Sequence, residues 1–145
     1  MTGMVLADVV ERNAQLRGGA PAFVFEGRTL THAAFRDRAF ALGNALLGLG
    51  LGRQSRVAVL AQNRTEYFEA FAGIGAAGLI TVNLNWRLAL PELERIVADC
   101  EPEVLIFDAP SEAVAAVLRR APSIRHAIAF DRAPDWAVSY EAFIA

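Results

Sequence analysis

Lysine is absent from this 145-residue chain, and all 14 of its basic residues are arginine. That absence removes the phosphate-handling chemistries that depend on a lysine amine, the P-loop among them. Cysteine occurs once, at Cys100, so no intrachain disulfide and no cysteine-based zinc site can form. A buried, inert thiol is expected there. Histidine occurs at His32 and His126 only, each without a carboxylate or cysteine partner close in sequence, and neither is assigned a catalytic role.

Charge of one sign is also missing. The 14 basic and 16 acidic residues are scattered and leave a net charge of −2, which gives no footprint for nucleic acid and no polybasic membrane patch. No apolar run reaches the ~18 residues of a membrane span. The opening segment MTGMVLADVVERN lacks a basic region ahead of an apolar one, so a cytoplasmic protein is expected and the Asn63-Arg64-Thr65 sequon carries no weight. What the chain does have is apolar content, 54%, enough for one well-filled domain.

The periodicities alternate between helix and strand. Helical spacing over Val5 to Arg17 is followed by Gly18-Gly19 in the manner of a C-cap. Phe23–Phe25 and Arg28–Leu30 flank Glu26-Gly27 as a hairpin, and Thr31 can cap a helix from His32 to about Leu49, with Phe35, Ala39, Leu42, Leu46 and Leu49 inward and Arg36 and Arg38 toward water. Short apolar runs at Arg56–Leu60, Leu79–Leu84, Val104–Phe107 and Ala127–Phe130 suit strands covered on both faces.

Between the strands, a helix starts near Arg64, with Asn63 and Glu66 forming a capping box and Tyr67, Phe68, Phe71 and Ile74 on its apolar face. A second runs from Pro91 to about Cys100 with Leu93, Ile96 and Val97 inward, and Ser111 caps a third bearing Val114, Val117 and Leu118. Ser139 begins a last helical turn through Phe143. The order βαβαβαβ with right-handed crossovers predicts an α/β fold: half of a doubly wound, mostly parallel sheet with helices on both faces, preceded by a small N-terminal β-hairpin.

Gly73-Ile74-Gly75-Ala76-Ala77-Gly78 spells the G-x-G-x-x-G fingerprint of dinucleotide sites. The fingerprint requires a strand before the first glycine and a helix after the last, whereas here a helix precedes and a strand follows. Glu94, about twenty residues beyond, therefore has no ribose to bind. The expected role is mechanical: the small residues let the helix approach the sheet, and Gly78 makes the turn. A small Rossmann oxidoreductase, the reading these glycines would support, should bind NAD or NADP saturably.

Two further constellations do not carry chemistry. Ser123, His126 and Asp131 have the residue types of a hydrolase triad, but they share one loop and strand and no G-x-S-x-G elbow exists. The acidic group Glu92, Glu94, Asp99, Glu101 and Glu103 has no histidine at ligand spacing and reads as a solvated helix face. No catalytic and no metal-binding residue is assigned.

The run Val57 to Tyr67 (VAVLAQNRTEY), then Ala77-Gly78 and Val82 to Leu88 (VNLNWRL), resembles the N-terminal region of AMP-forming acyl-CoA synthetases. Pro21 to Val24 with Leu30-Thr31 resembles the family's opening hairpin and cap, and Glu92-Leu93 with Ala98-Asp99-Cys100 its helix before the third strand. The similarity covers nearly the whole chain. Gln54-Ser55 replaces a usual Gly-Asp, Asn83 a common proline, and Ala89 the usual capping threonine.

The resemblance implies a parent acid:CoA ligase that forms an acyl-adenylate from ATP and then a CoA thioester, acting on a fatty or similar apolar acid. Residues 1–145 would be a single N-terminal α/β subdomain of its larger AMP-binding domain. The family's phosphate loop with its lysine, its aromatic-Gly-x-Thr-Glu motif, its ribose-binding aspartate and its C-terminal catalytic lysine have no counterpart here. The isolated chain is therefore expected to be inactive and to bind no cofactor in its own right, with ATP, Mg²⁺ and CoA belonging to the parent.

One residue carries over. In some members the arginine matching Arg87 helps bind the CoA nucleotide, against the alternative of a surface salt bridge. The expected partners are the remainder of the ligase and its acid, ATP and CoA, while apolar faces left exposed would allow self-association into a homo-oligomer. A stand-alone interaction module derived from the same family is the alternative.

Overall fold

The computed structural model describes residues 5–145. Helix α1 (Leu6–Arg17) starts where Asp8 Oδ2 accepts the Val5 N–H at 3.0 Å. Gly18 is the C-cap as expected, in the right-handed conformation at φ −50°. It is kept small by packing: a Cβ there would meet the Ala14 carbonyl oxygen at 2.6 Å. Strands β1 (Pro21–Phe25) and β2 (Arg28–Thr31) pair antiparallel around Glu26 and Gly27, whose φ values of 49° and 74° give the twist that a two-residue hairpin turn needs. Thr31 Oγ1 then accepts the Ala34 N–H at 3.2 Å and caps α2 (His32–Gly48).

The main sheet follows as β3 (Arg56–Leu60), β4 (Ile80–Leu84), β5 (Val104–Phe107), β6 (His126–Ala129) and β7 (Val138–Ser139). All neighbours pair parallel, in the order β4-β3-β5-β6-β7. The connecting helices are α3 (Thr65–Ala76), α4 (Leu90–Cys100) and α5 (Glu112–Leu118), and α6 (Tyr140–Ile144) follows β7. Side-chain alternation along the strands splits the core into two layers. Val57, Val59, Val104, Ile106 and Ile128 pack with Leu42 and Leu46 of α2, Ala70 and Ile74 of α3, and Tyr140 of α6. Ala58, Leu60, Leu105, Phe107 and Ala129 pack on the opposite face with Leu93 and Val97 of α4 and Ala115 and Leu118 of α5. A parallel sheet covered on both faces is what the uninterrupted apolar runs require.

The structure corrects several local expectations. Asn63 does not cap α3: Arg64 is the N-cap residue, with no side-chain cap bond, and Glu66 bonds Arg64 Nε at 2.9 Å and Thr65 Oγ1 at 3.2 Å. A charge-assisted bond outcompetes the neutral cap. Ser111 does occupy the N-cap position of α5, but its side chain makes no cap bond, and its N–H is taken by Asp108 at 3.1 Å in the 3₁₀ turn (Ala109–Ser111) just before. β6 begins one residue early and the short edge strand β7 was not anticipated.

The glycines of α3 serve a helix–helix contact, not the helix–sheet approach expected from sequence. A Cβ on Gly73 would overlap the Ala39 carbonyl oxygen of α2, and one on Gly43 would lie 2.9 Å from the Gly73 oxygen. Gly75 has nothing within 4 Å, so it has no packing role, while Gly78 at φ +70° makes the expected turn. Ile74 is buried, but Phe68 and Phe71 are 45% and 44% exposed. They line an apolar groove against α1 and the hairpin, with Phe68 stacked on Phe23 at 5.0 Å. Cys100 is only partly buried.

Candidate functional site

Open α/β sheets bind ligands at the carboxyl ends of their strands, where neighbouring connections leave in opposite directions. Here β3 leads out toward β4 and β5 leads out toward β6, so that crevice lies between β3 and β5. It is filled by the chain's own side chains. Asp108, 2% exposed after β5, accepts the Gln62 N–H at 2.8 Å with one oxygen and the Ser111 N–H with the other. Asp131, following β6, accepts from Arg64 Nη1 at 2.8 and 3.0 Å and from the Ala109 N–H at 2.9 Å.

Arg64 also pairs with Glu66 and lies 5.2 Å over the Phe130 ring. Burial disfavours charge on Glu66 and Asp131, but the Arg64 guanidinium outweighs it and holds both carboxyls below their ordinary values. Every carboxylate in this crevice is engaged within the protein, which makes it a clamp joining the ends of β3, β5 and β6. Sequence offered Asp131 only for a hydrolase triad and Glu66 only for a capping box, and Asp108 not at all, although a signal existed: an aspartate directly follows each of the apolar runs VLIF and AIAF.

A second polar cluster was also unforeseen. Glu69 of α3 is 1% exposed and accepts from Tyr140 Oη at 2.8 Å and from Arg38 Nε at 2.8 Å. Arg38 bonds Glu141 as well, at 2.6 and 3.0 Å, and is therefore a half-buried linker and not the solvent-facing residue expected. Burial, reinforced by the Glu69 carboxylate, drives the Tyr140 phenol far above its ordinary value, so it remains a neutral donor. This cluster locks α2, α3 and α6 together.

The rejected constellations are not assembled. Ser123 and His126 lie at the start of β6 and Asp131 beyond its end, about 16 Å away at strand rise, where it is held by Arg64. Among the described residues no three histidine, cysteine or acidic side chains converge as a metal site would need. Glu92 instead accepts the Ala89 N–H at 2.9 Å, starting α4 without the missing threonine. A cleft of about 740 Å³ lies between the C-terminal ends of α4 and α5, at the end of the sheet opposite the crevice.

The remaining candidate is the turn after β4. Asn83 Oδ1 accepts from Tyr67 Oη at 2.9 Å, fixing the strand end. Asn85 Oδ1 accepts the Arg87 N–H at 3.0 Å and its carbonyl accepts the Leu88 N–H at 3.0 Å, closing a tight turn. Arg87 is exposed and takes part in none of the ion pairs found among the described residues. Its guanidinium lies 4.9 Å over the Trp86 ring. The turn thus presents a cation and an aromatic face at the carboxyl end of an edge strand.

Comparison with known proteins is consistent across sequence and structure. The family described as AMP-binding enzyme matches residues 10–143. An indoleacetate–CoA ligase from Aromatoleum aromaticum is 33% identical over 97% of this chain, which spans 28% of that relative. A feruloyl-CoA synthase from an Amycolatopsis species is 36% identical over 90% of the chain and 28% of its own length. Among solved structures, an anthranilate CoA ligase in complex with anthranoyl-AMP superposes with a TM-score of 0.91 at 29% identity, over 97% of this chain and 28% of that one. A Mycobacterium tuberculosis fatty acyl CoA synthetase gives 0.80 at 27% identity, over 86% and 26%.

Proposed function

The chain belongs to the AMP-binding enzyme family, and from that premise we propose that it is the N-terminal α/β portion of an acid:CoA ligase, which activates a carboxylic acid as its adenylate with ATP and passes it to CoA. The observation that carries this is the near-complete alignment of the chain with relatives named as a CoA ligase and a CoA synthase, of which it spans little more than a quarter. The acids in those names, indoleacetate and ferulate, share an apolar body and one carboxylate. We take an apolar acid, fatty or aromatic, as the substrate class, and the cytoplasm as its place of action.

The chain's own residues do not fit ATP and Mg²⁺. It has no lysine, no convergent metal ligands among its described residues, and its carboxyl-end crevice is closed by Asp108 and the Arg64 clamp. In this reading adenylate chemistry belongs to the rest of the ligase, and the 145 residues supply scaffold and wall. Arg87 fits a CoA nucleotide phosphate: its guanidinium is exposed, free of carboxylates and anchored by the Asn85 turn.

The test is acid-dependent exchange of pyrophosphate into ATP, measured on the native gene product and on the isolated chain with indoleacetate, ferulate and a long-chain fatty acid. Exchange by a longer native product, with none by the isolated chain, is expected. A native product ending at Ala145, or a longer one without acid-dependent exchange, overturns the proposal. The stand-alone module is favoured by one observation, the apolar groove of Phe68 and Phe71, which would also drive self-association.

A further inference from the structure

Trp86 is 43% exposed, and its circumstances differ from those of the only other tryptophan. Trp136 carries Arg119 at 4.9 Å and is also stacked on Phe107 at 5.0 Å and 19°, so its ring is engaged twice from within the protein. Trp86 has the same 4.9 Å guanidinium contact, from Arg87, but no aromatic partner among the described residues. A large indole surface is left to solvent, on a turn made rigid by the two bonds to Asn85 and by the Tyr67–Asn83 contact behind it.

An exposed indole beside an unpaired guanidinium matches one ligand chemistry closely. A nucleotide combines a flat π-face with an anion one sugar away. The base stacks on an aromatic ring, and the phosphate takes the planar donor fork of an arginine. Because the guanidinium already rests on the ring, ring and cation are positioned together and little side-chain freedom is lost when the ligand arrives.

We propose that Trp86 is a ligand-binding residue in its own right: it stacks the adenine of the CoA nucleotide and holds Arg87 in place for the phosphate. This rests on the assignment of Arg87 to that nucleotide. It adds a base-reading element to what charge alone would make a bare phosphate contact, and it assigns the Arg119–Trp136 pair no such role.

The test is calorimetric titration of the native gene product with adenosine 3′,5′-bisphosphate, in wild type and in the Trp86→Ala, Trp86→Phe and Arg87→Ala variants, with indole emission followed in parallel. Trp86→Ala should weaken binding about tenfold and Trp86→Phe only a few-fold, as expected for loss and partial retention of a stacking surface. Emission should respond to ligand in wild type and lose that response in Trp86→Phe. If Arg87→Ala weakens binding and Trp86→Ala does not, the stacking role falls while the Arg87 assignment stands. If wild type shows no saturable binding, or Arg87→Ala binds as well as wild type, the Arg87 assignment falls and the Trp86 role with it.

Discussion

Arg38→Met should be more damaging than removing the whole cluster to which Arg38 belongs. Glu69 is 1% exposed and accepts from the Arg38 and Tyr140 donors. Taking away the cation strands a carboxylate in the α2–α3–α6 interface, which costs about 3–5 kcal/mol for a fully buried pair. Arg38 itself is 29% exposed, so the lower end, about 3 kcal/mol, applies. For a domain of this size that lowers Tm by roughly 6–12 °C. The triple replacement Arg38→Met, Glu69→Leu, Tyr140→Phe removes the charge and both of its donors together. Apolar substitution of a buried ion pair is often neutral, so the triple variant should lie within about 1 kcal/mol of wild type. Urea unfolding followed by far-UV circular dichroism measures both. A triple variant as unstable as Arg38→Met, or an Arg38→Met variant as stable as wild type, would refute the claim that desolvated charge governs this interface.

Gly73→Ala should destabilise by about 1–3 kcal/mol through overpacking against α2, whereas Gly75→Ala, with open space around it, should stabilise by up to about 1 kcal/mol; thermal melts decide, and equal shifts would remove the helix-contact explanation. Glu66 and Asp131 have folded pKa values held below the ordinary 4.5 and 3.8, so their contribution is present above those values and is lost as pH falls through the folded ones. Replacing Asp131 with Asn should therefore lower Tm at neutral pH and flatten its fall as pH drops below the ordinary aspartate value of 3.8, and an acid limb parallel to wild type would argue against the clamp. Replacing both Phe68 and Phe71 with Ser should shift any self-associated species toward monomer in sedimentation velocity, and an unchanged distribution would place the contact elsewhere.

The strands and both layers of covering helices were legible because their signals are local: apolar runs of strand length alternate with helical stripes. Family membership was legible for the same reason, through contiguous runs such as VAVLAQNRTEY. Caps were less so. Asn63 has the right chemistry for one, but Glu66 is taken by Arg64, and that competition depends on Asp131, distant in sequence. The glycines show the same limit: sequence marks them as sites of close approach, while the partner, Ala39 of α2, follows only from how two helices cross. The Glu69 cluster was hidden altogether, since a single acid between Phe68 and Ala70 looks like a solvent-facing helix position until Tyr140 and Arg38 arrive from two other helices. Arg87 was named from resemblance, yet its companion Trp86 needed the geometry.

The position of β3 has a consequence for how the molecule opens. β3 is hydrogen-bonded along its length to β4 on one side and β5 on the other, and Val57, Ala58 and Val59 have no exposure at all. Fraying of β7 or detachment of the hairpin leaves both of its ladders intact. Val57 to Val59 should be the slowest amides to exchange with deuterated solvent, at a rate set by whole-molecule unfolding, while β7 exchanges first. Isotope exchange would then divide the chain into a late-opening centre around β3 and early-opening margins.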